Sequence, residues 1–64
     1  MTTYEIIIQT RDDIMAEYEY ASVCDVFRGK DAEQRAQKKV NEYNQTDAAV
    51  ADGLCVYRMR VAKD

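Results

Sequence analysis

The stretch of sequence that decides the fold is TYEIIIQT, residues 3–10. Its side chains alternate between two faces. Aromatic or apolar residues occupy the first face, and the second face is mixed: Tyr4, Ile6 and Ile8 against Glu5, Ile7 and Gln9. A period of two is typical of a β-strand, and β-branched residues favour strands. Because this is the most apolar run in the chain, it predicts the central strand of a sheet.

A second strand is predicted over residues 15–28, after a polar turn at residues 11–13. Glutamate and tyrosine alternate strictly over residues 17–20, which places Glu17 and Glu19 outward and Tyr18 and Tyr20 inward. Continuing the same parity also places Cys24 and Val26 inside. This strand would then pair antiparallel with the first.

Two alternatives stay open for this segment. The simple parity leaves Val23 and Phe27 outside, and a β-bulge near Ala21 or Ser22 would bury both instead. The second alternative makes Asp13 the N-cap of a short helix over residues 14–20. The strict alternation favours the strand.

A helix is predicted to start after Gly29 and Lys30, where Asp31 serves as N-cap and Gln34 completes a capping-box-like pair. Its inner face carries residues spaced four, four and three apart: Ala32, Ala36, Val40 and Tyr43. Asn44 is the expected end. Residues 46–51 are either a continuation or a short separate turn, and Gly53 stops the helical segment.

The last strand is predicted over residues 54–62. Its core face carries Cys55, Tyr57, Met59 and Val61, and its outer face carries Val56, Arg58 and Arg60. A right-handed crossover through the helix then predicts the order 2-1-3. The fold class is α+β: a ββαβ domain over residues 1–64, with a three-stranded antiparallel sheet and one helix on one face.

One face of this sheet is left without a helix, and we interpret it as a candidate partner-binding surface. Its expected members are an apolar anchor and four charged side chains: Ile7, Glu17, Glu19, Arg58 and Arg60. The alternative interpretation is that these charges only solubilise the sheet, since exposed ion pairs contribute about 0–1 kcal/mol each. The free edge of the second strand could also pair with a second copy to form a homodimer.

Composition argues against an enzyme. The 64 residues contain no histidine, which excludes Ser-His and Cys-His nucleophile pairs and histidine metal sites. The two cysteines, Cys24 and Cys55, are too few for a zinc site and are predicted to be core thiols before a disulfide. Asp12 and Asp13 are adjacent carboxylates typical of a solvated turn. We therefore expect no catalytic residue, no cofactor and no metal.

A basic side of the helix is the alternative site. Its four bases could contact phosphates: Lys30, Arg35, Lys38 and Lys39. The same pattern is that of the polar side of any amphipathic helix. Two further observations argue against nucleic-acid binding. No aromatic residues are interleaved with these bases, and the net charge of −3 repels nucleic acid at long range. Direct nucleic-acid binding is thus the second prediction, behind a protein partner.

No signal peptide and no apolar run long enough to cross a bilayer are visible, since crossing takes about 20 residues. The expectation is a cytoplasmic protein without a membrane partner. A single pair of cysteines also gives little support for secretion, because small secreted domains usually carry several disulfides.

The order of the predicted elements resembles a group of very small phage-encoded inhibitors of host machinery. These compact ββαβ proteins include several anti-CRISPR proteins and an inhibitor of bacterial RNA polymerase, and residues 56–60, VYRMR, look like the basic final strand of the latter. The resemblance implies a non-catalytic inhibitor in the cytoplasm of a bacterial host. It would block a host protein or ribonucleoprotein complex that handles nucleic acid, with an anti-CRISPR role first. No functional residue carries over from it.

Overall fold

The computed structural model describes residues 2–62, except for the side chains of Tyr20 and Ala21. Five elements follow one another along the chain: β1 (Thr3–Thr10), β2 (Tyr20–Arg28), α1 (Ala32–Thr46), α2 (Ala48–Ala51) and β3 (Cys55–Val61). The sheet order is β2-β1-β3, and both neighbouring pairs are antiparallel. The predicted α+β class and the order 2-1-3 are confirmed.

The core lies between α1 and one face of the sheet. Ile6 of the central strand is fully buried, and it lies beneath the helix face formed by Ala32, Ala36 and Val40, all buried as predicted. Alanine side chains let the helix approach the sheet closely. Further along α1, the rings of Tyr43 and Tyr57 are 4.9 Å apart, a separation typical of favourable aromatic pairs.

The second strand is shorter than predicted, because β2 starts at Tyr20 and residues 11–19 form a loop. The prediction that Glu17 and Glu19 lie on a strand is therefore wrong. The alternative short helix is also absent, although Asp13 does cap one turn. Its carboxylate accepts a hydrogen bond from the Met15 N–H at 2.9 Å, and its carbonyl accepts one from Ala16 at 2.9 Å.

Arg11 explains why this segment leaves the strand conformation. Its Nε donates a hydrogen bond to the carbonyl of Gly53 at 2.6 Å, and its Nη1 donates to the carbonyl of Ala16 at 3.1 Å. The guanidinium also lies 4.5 Å from the centre of the Tyr18 ring. These contacts hold the loop against the turn before β3, so Tyr18 packs there and not under α1. The predicted inward side chain of Tyr20 lies outside the described residues.

A β-bulge does interrupt β2, but at Cys24 and not near Ala21 or Ser22. Ile6 pairs with Asp25 whereas the next residue, Ile7, pairs with Val23, which leaves Cys24 as the extra residue. The bulge exposes Cys24, so the prediction of a core thiol is wrong there and is confirmed only for the buried Cys55.

The bulge also redistributes the neighbouring apolar side chains. Phe27 moves to the helix face, where the Arg35 guanidinium lies 5.8 Å from its ring centre. Val26, predicted to be inside, lies on the opposite face, where Val23 also lies as the simple parity predicted, and both are exposed. The physical reason is that one extra residue reverses the facing of everything that follows it in a strand.

The helical segment begins and ends differently from the sequence prediction. Asp31 precedes α1, but it adopts φ 63° and its side chain makes no capping hydrogen bond, so the capping-box prediction is wrong. The left-handed conformation is tolerated by aspartate better than by most residues. α1 continues past Asn44 to Thr46, and α2 is a separate turn whose N-cap, Asp47, accepts a hydrogen bond from the Ala49 N–H at 2.9 Å.

Candidate protein-binding face

The face of the sheet opposite α1 has no helix packed on it, and we call it the open face. Directly paired residues of antiparallel strands point to the same side, so the register defines its members. Among the side chains that the structure describes, these are Thr3, Glu5, Ile7 and Gln9 from β1, Val23, Val26 and Arg28 from β2, and Val56, Arg58 and Arg60 from β3. Side chains from all three strands therefore converge on one surface.

The apolar centre of the open face is supplied mainly by β2. Ile7 is only 7% exposed because it lies between Val23 and Arg58 on the neighbouring strands, so the expectation that it is exposed is wrong, and its role as an apolar anchor stays a prediction. Val23 is 45% exposed and Val26 52%. These two residues share a face only because of the bulge, and their spacing of three gave no strand signal in the sequence.

Three arginines surround this apolar centre. Arg58 and Arg60 lie on the open face as predicted, and Arg28 joins them from the end of β2. The Nε of Arg60 is 2.5 Å from an Oε1 oxygen of Glu5 directly across the strand pair. Glu5 is the sole acid among the ten described residues of this face, so the face carries a formal charge of +2 (three bases, one acid).

Arg28 and Arg58 differ in the contacts that their side chains make within the protein. The Nε of Arg28 donates a hydrogen bond to the Thr3 hydroxyl at 3.1 Å, which holds its stem against β1. Within residues 2–62, Arg58 makes no side-chain hydrogen bond or ion pair and is exposed. Arg58 is thus the base most available to a partner.

The predicted acidic flank is displaced from this surface. Glu17 and Glu19 are exposed in the loop before β2, where they line a small cleft of about 130 Å³. The other residues of that cleft are Thr10, Arg11, Asp12 and Ala16. The structure therefore places Arg58 and Arg60 on the open face with Ile7, but it does not place Glu17 and Glu19 on that face.

Both free edges of the sheet have local partners. The side chain of Asn44 hydrogen-bonds both the N–H and the carbonyl of Tyr57 on β3. On β2, the Asp25 carboxylate accepts a hydrogen bond from the Val26 N–H at 2.9 Å. Bulges and side chains that satisfy the backbone are devices that protect edge strands from pairing. The Asn44 hydrogen bonds lie on the β3 edge, so they do not bear on the predicted homodimer through the β2 edge.

The basic side of α1 is partly engaged within the chain. Arg35 donates to the carbonyls of Arg28 at 2.7 Å and Lys30 at 3.3 Å. Lys39 lies 3.8 Å from Glu42. Lys30 and Lys38 are exposed, and Lys38 borders a shallow surface depression with Glu33, Gln34, Gln37 and Asn41. Two of the four predicted bases, Arg35 and Lys39, thus make polar contacts within the chain.

The thiols are poor candidates for nucleophiles. Burial raises the pKa of Cys55, and burial together with the neighbouring charge of Asp25 raises the pKa of Cys24. A raised pKa lowers the fraction of thiolate, which is the reactive form. Among the described side chains, no group of three cysteines or carboxylates is arranged to hold a metal ion.

Neither helix between residues 2 and 62 is long and apolar enough to span a membrane. No protein-family model matches the chain, and no curated protein or solved structure was found to be similar to it.

Proposed function

We propose that this protein is a non-catalytic binding module whose open face occupies an acidic, partly apolar surface of another protein. The observation that carries the proposal is the juxtaposition of exposed Val23 and Val26 with three arginines and a single acid. An exposed apolar patch rimmed by polar residues is typical of an interaction surface. Arginine is also enriched among residues that dominate binding energy.

The chemistry of the open face favours protein over nucleic acid. None of its ten described residues is aromatic, whereas single-stranded nucleic acid is usually held by stacking on aromatic rings. The face also belongs to a hydrogen-bonded sheet, so ordering it costs little upon binding. A flat surface with an apolar centre and basic rim complements a protein surface rich in carboxylates.

The class of partner follows from the resemblance to small phage-encoded inhibitors. We propose a host protein or ribonucleoprotein complex that handles nucleic acid, blocked by surface occlusion in the bacterial cytoplasm. An anti-CRISPR role is the leading case, and inhibition of RNA polymerase is the second. The ββαβ order and the absence of histidine support a stoichiometric inhibitor over an enzyme.

The most direct test reverses one charge of the open face. Arg58→Glu is preferable to the double reversal of Arg58 and Arg60, because Arg60→Glu would place two carboxylates opposite each other at Glu5. Lys38→Glu is the matched control, since it makes the same charge change on the exposed side of α1. Tagged wild type and both variants are used to capture proteins from bacterial lysate.

A partner retained by wild type and Lys38→Glu but lost with Arg58→Glu is the expected result. Equal capture by all three proteins would remove the open face as the binding surface. A parallel titration of the protein with generic duplex DNA and RNA tests the alternative, which is nucleic-acid binding through the basic side of α1. Direct binding that weakens steeply with salt and is reduced by Lys38→Glu would replace this proposal with nucleic-acid binding through the helix.

A further inference from the structure

The centre of the open face is divided lengthwise into an apolar side and a basic side. Val23 and Val26 lie on β2, and Arg58 and Arg60 lie level with them on β3. Each of these two rows therefore runs from a valine, through a residue of β1, to an arginine. Both valines are about half exposed, and both arginines are exposed. A matching occupant presents apolar side chains along one side and carboxylates along the other.

The dimensions of the face fit one helix. The backbones of three strands span about 10 Å, which is close to the diameter of a helix with its side chains. On the other face of the sheet, α1 alone contacts all three strands. The two rows are two strand residues apart, or about 6.7 Å, and residues four apart on a helix rise about 6 Å. Helix side chains at that spacing can therefore lie level with both rows.

Backbone hydrogen bonding favours a helix over an extended segment. A strand that pairs with an edge of the sheet adds beside β2 or β3, and it does not cover the valines and the arginines together. An extended segment laid across the face would reach both sides, but its inward N–H and C=O groups would have no partners above Val23 and Ile7. A helix pairs these groups internally.

The two arginines favour carboxylates on the occupant. Within residues 2–62, the Arg58 side chain has no hydrogen bond or ion pair. Arg60 is held by Glu5 through its Nε, yet 51% of its side chain stays exposed. Guanidinium groups form strong, directional hydrogen bonds with carboxylates. Because Glu5 holds Arg60 before binding, little side-chain entropy is lost at that position.

We infer that the open face binds an amphipathic helix of the partner, in which a stripe of glutamate or aspartate adjoins the apolar stripe. The apolar stripe packs on Val23 and Val26, and the carboxylates meet Arg58 and Arg60. The helix axis follows β1, whose eight residues span about 26 Å, the length of about 17 helical residues. The inference rests on the proposed function, because it specifies the chemistry of the partner at the same face.

Fluorescence anisotropy of a labelled synthetic peptide is the first test. The peptide has about 17 residues in an alanine background, with leucines spaced four, three and four apart and glutamates on the adjoining stripe. A control peptide of the same composition carries its glutamates on the side opposite the leucines. Circular dichroism checks that both peptides are helical.

We expect the 64-residue chain to bind the first peptide with a Kd on the order of 10–100 μM, and the control peptide at least about tenfold more weakly. High salt should weaken the first interaction, because it screens exposed charges. Absence of binding at about 1 mM, or equal affinity for the two peptides, would overturn the inference.

Variants of the protein test where the peptide binds. Arg58→Glu and Val26→Ser should each weaken binding by about tenfold or more. Lys38→Glu and Val61→Ser are the matched controls, since they make the same charge reversal and the same apolar loss at exposed positions outside the open face. Both controls should bind like wild type, and circular dichroism checks that all four variants are folded. Equal losses in the controls would reject the open face as the site.

A third peptide, in which leucine and glutamate alternate, favours an extended conformation. If it bound more tightly than the helical peptide, strand pairing at an edge would replace the inference. Capture of a partner from lysate is a separate measurement. Loss of capture in Arg58→Glu without binding of the helical peptide rejects the helix alone. Binding of the helical peptide with capture that is insensitive to Arg58→Glu rejects the proposed function alone.

Discussion

The side-chain amide of Asn44 on α1 hydrogen-bonds the backbone of Tyr57 on β3 as a neighbouring strand would. Its Nδ2 donates to the Tyr57 carbonyl at 3.1 Å, and its Oδ1 accepts from the Tyr57 N–H at 3.0 Å. The helix thereby closes one position of the free β3 edge and ties itself to the sheet.

Replacing this amide should destabilise the fold. Asn44→Ala leaves both backbone groups of Tyr57 without their partner, and we expect the free energy of unfolding to fall by about 1–2 kcal/mol. Urea denaturation measures the change. Asn41→Ala is the control: its amide bonds only Gln37 on the exposed side of the helix, so its effect should stay within about 0.5 kcal/mol. Equal losses in the two variants would contradict the role assigned to Asn44.

The hydroxyl of Tyr57 should make stability depend on pH in two ranges. It donates a 2.5 Å hydrogen bond to Asp47, which lowers the pKa of Asp47 and raises the pKa of Tyr57. Below the ordinary aspartate pKa of 3.8, the unfolded chain takes up a proton before the folded one, so stability falls as the pH falls. Above the ordinary tyrosine pKa of 10.0, the unfolded chain loses its proton first, so stability falls as the pH rises.

Urea midpoints across this pH series should therefore decline less steeply at both extremes in Tyr57→Phe than in wild type. Tyr43→Phe is the control, because among the described residues the Tyr43 hydroxyl has no hydrogen bond and its ring already stacks on Tyr57. Identical pH profiles for wild type and Tyr57→Phe would show that this hydrogen bond does not contribute to stability.

Arg11 should control the order of the loop before β2. Arg11→Ala removes two hydrogen bonds and the contact with the Tyr18 ring, and we expect a loss of about 1–3 kcal/mol. The freed loop should be cut first at Tyr18 in limited digestion with chymotrypsin. Arg11→Lys keeps the charge but not the forked geometry, so it should be intermediate. If Arg11→Ala were digested at the same rate as wild type, Arg11 would not be the residue that orders this loop.

The two thiols should react at very different rates in the native protein. Cys24 is exposed and should be labelled by a thiol reagent without unfolding, whereas Cys55 is buried and should be labelled only through opening of the fold. Because the pKa of Cys24 is raised above 9.0, its labelling should accelerate as the pH increases through the alkaline range. Mass spectrometry resolves the two sites, and simultaneous labelling of both would contradict the burial of Cys55.

Much of the fold was predictable because its signals are local. Alternation in β1 and β3 assigned Ile6 and Tyr57 to the core and Arg58 and Arg60 to the opposite face, and the register agrees. The inner face of α1 followed from the spacing of its alanines. These periodicities can be recognised within a short segment, because they depend only on residues that are close together in the sequence.

Where local patterns and long-range contacts compete, the sequence was misleading. The alternation at residues 17–20 indicates a strand, but Arg11 bonds to Gly53, 42 positions away, and holds this segment as a loop. Glu17 and Glu19 were consequently assigned to a surface on which they do not lie. No local signal marks a partner so distant in sequence.

By itself, the sequence determined the class of fold, the strand order and the absence of histidine chemistry, because residue identity and short periods suffice for these. Only the tertiary structure decided that Cys24 is bulged, that Val23 and Val26 share a face, and that Arg28 joins Arg58 and Arg60 around them. The physical reason is that the facing of a residue after a bulge depends on its pairing with another strand, and pairing exists only in the folded chain.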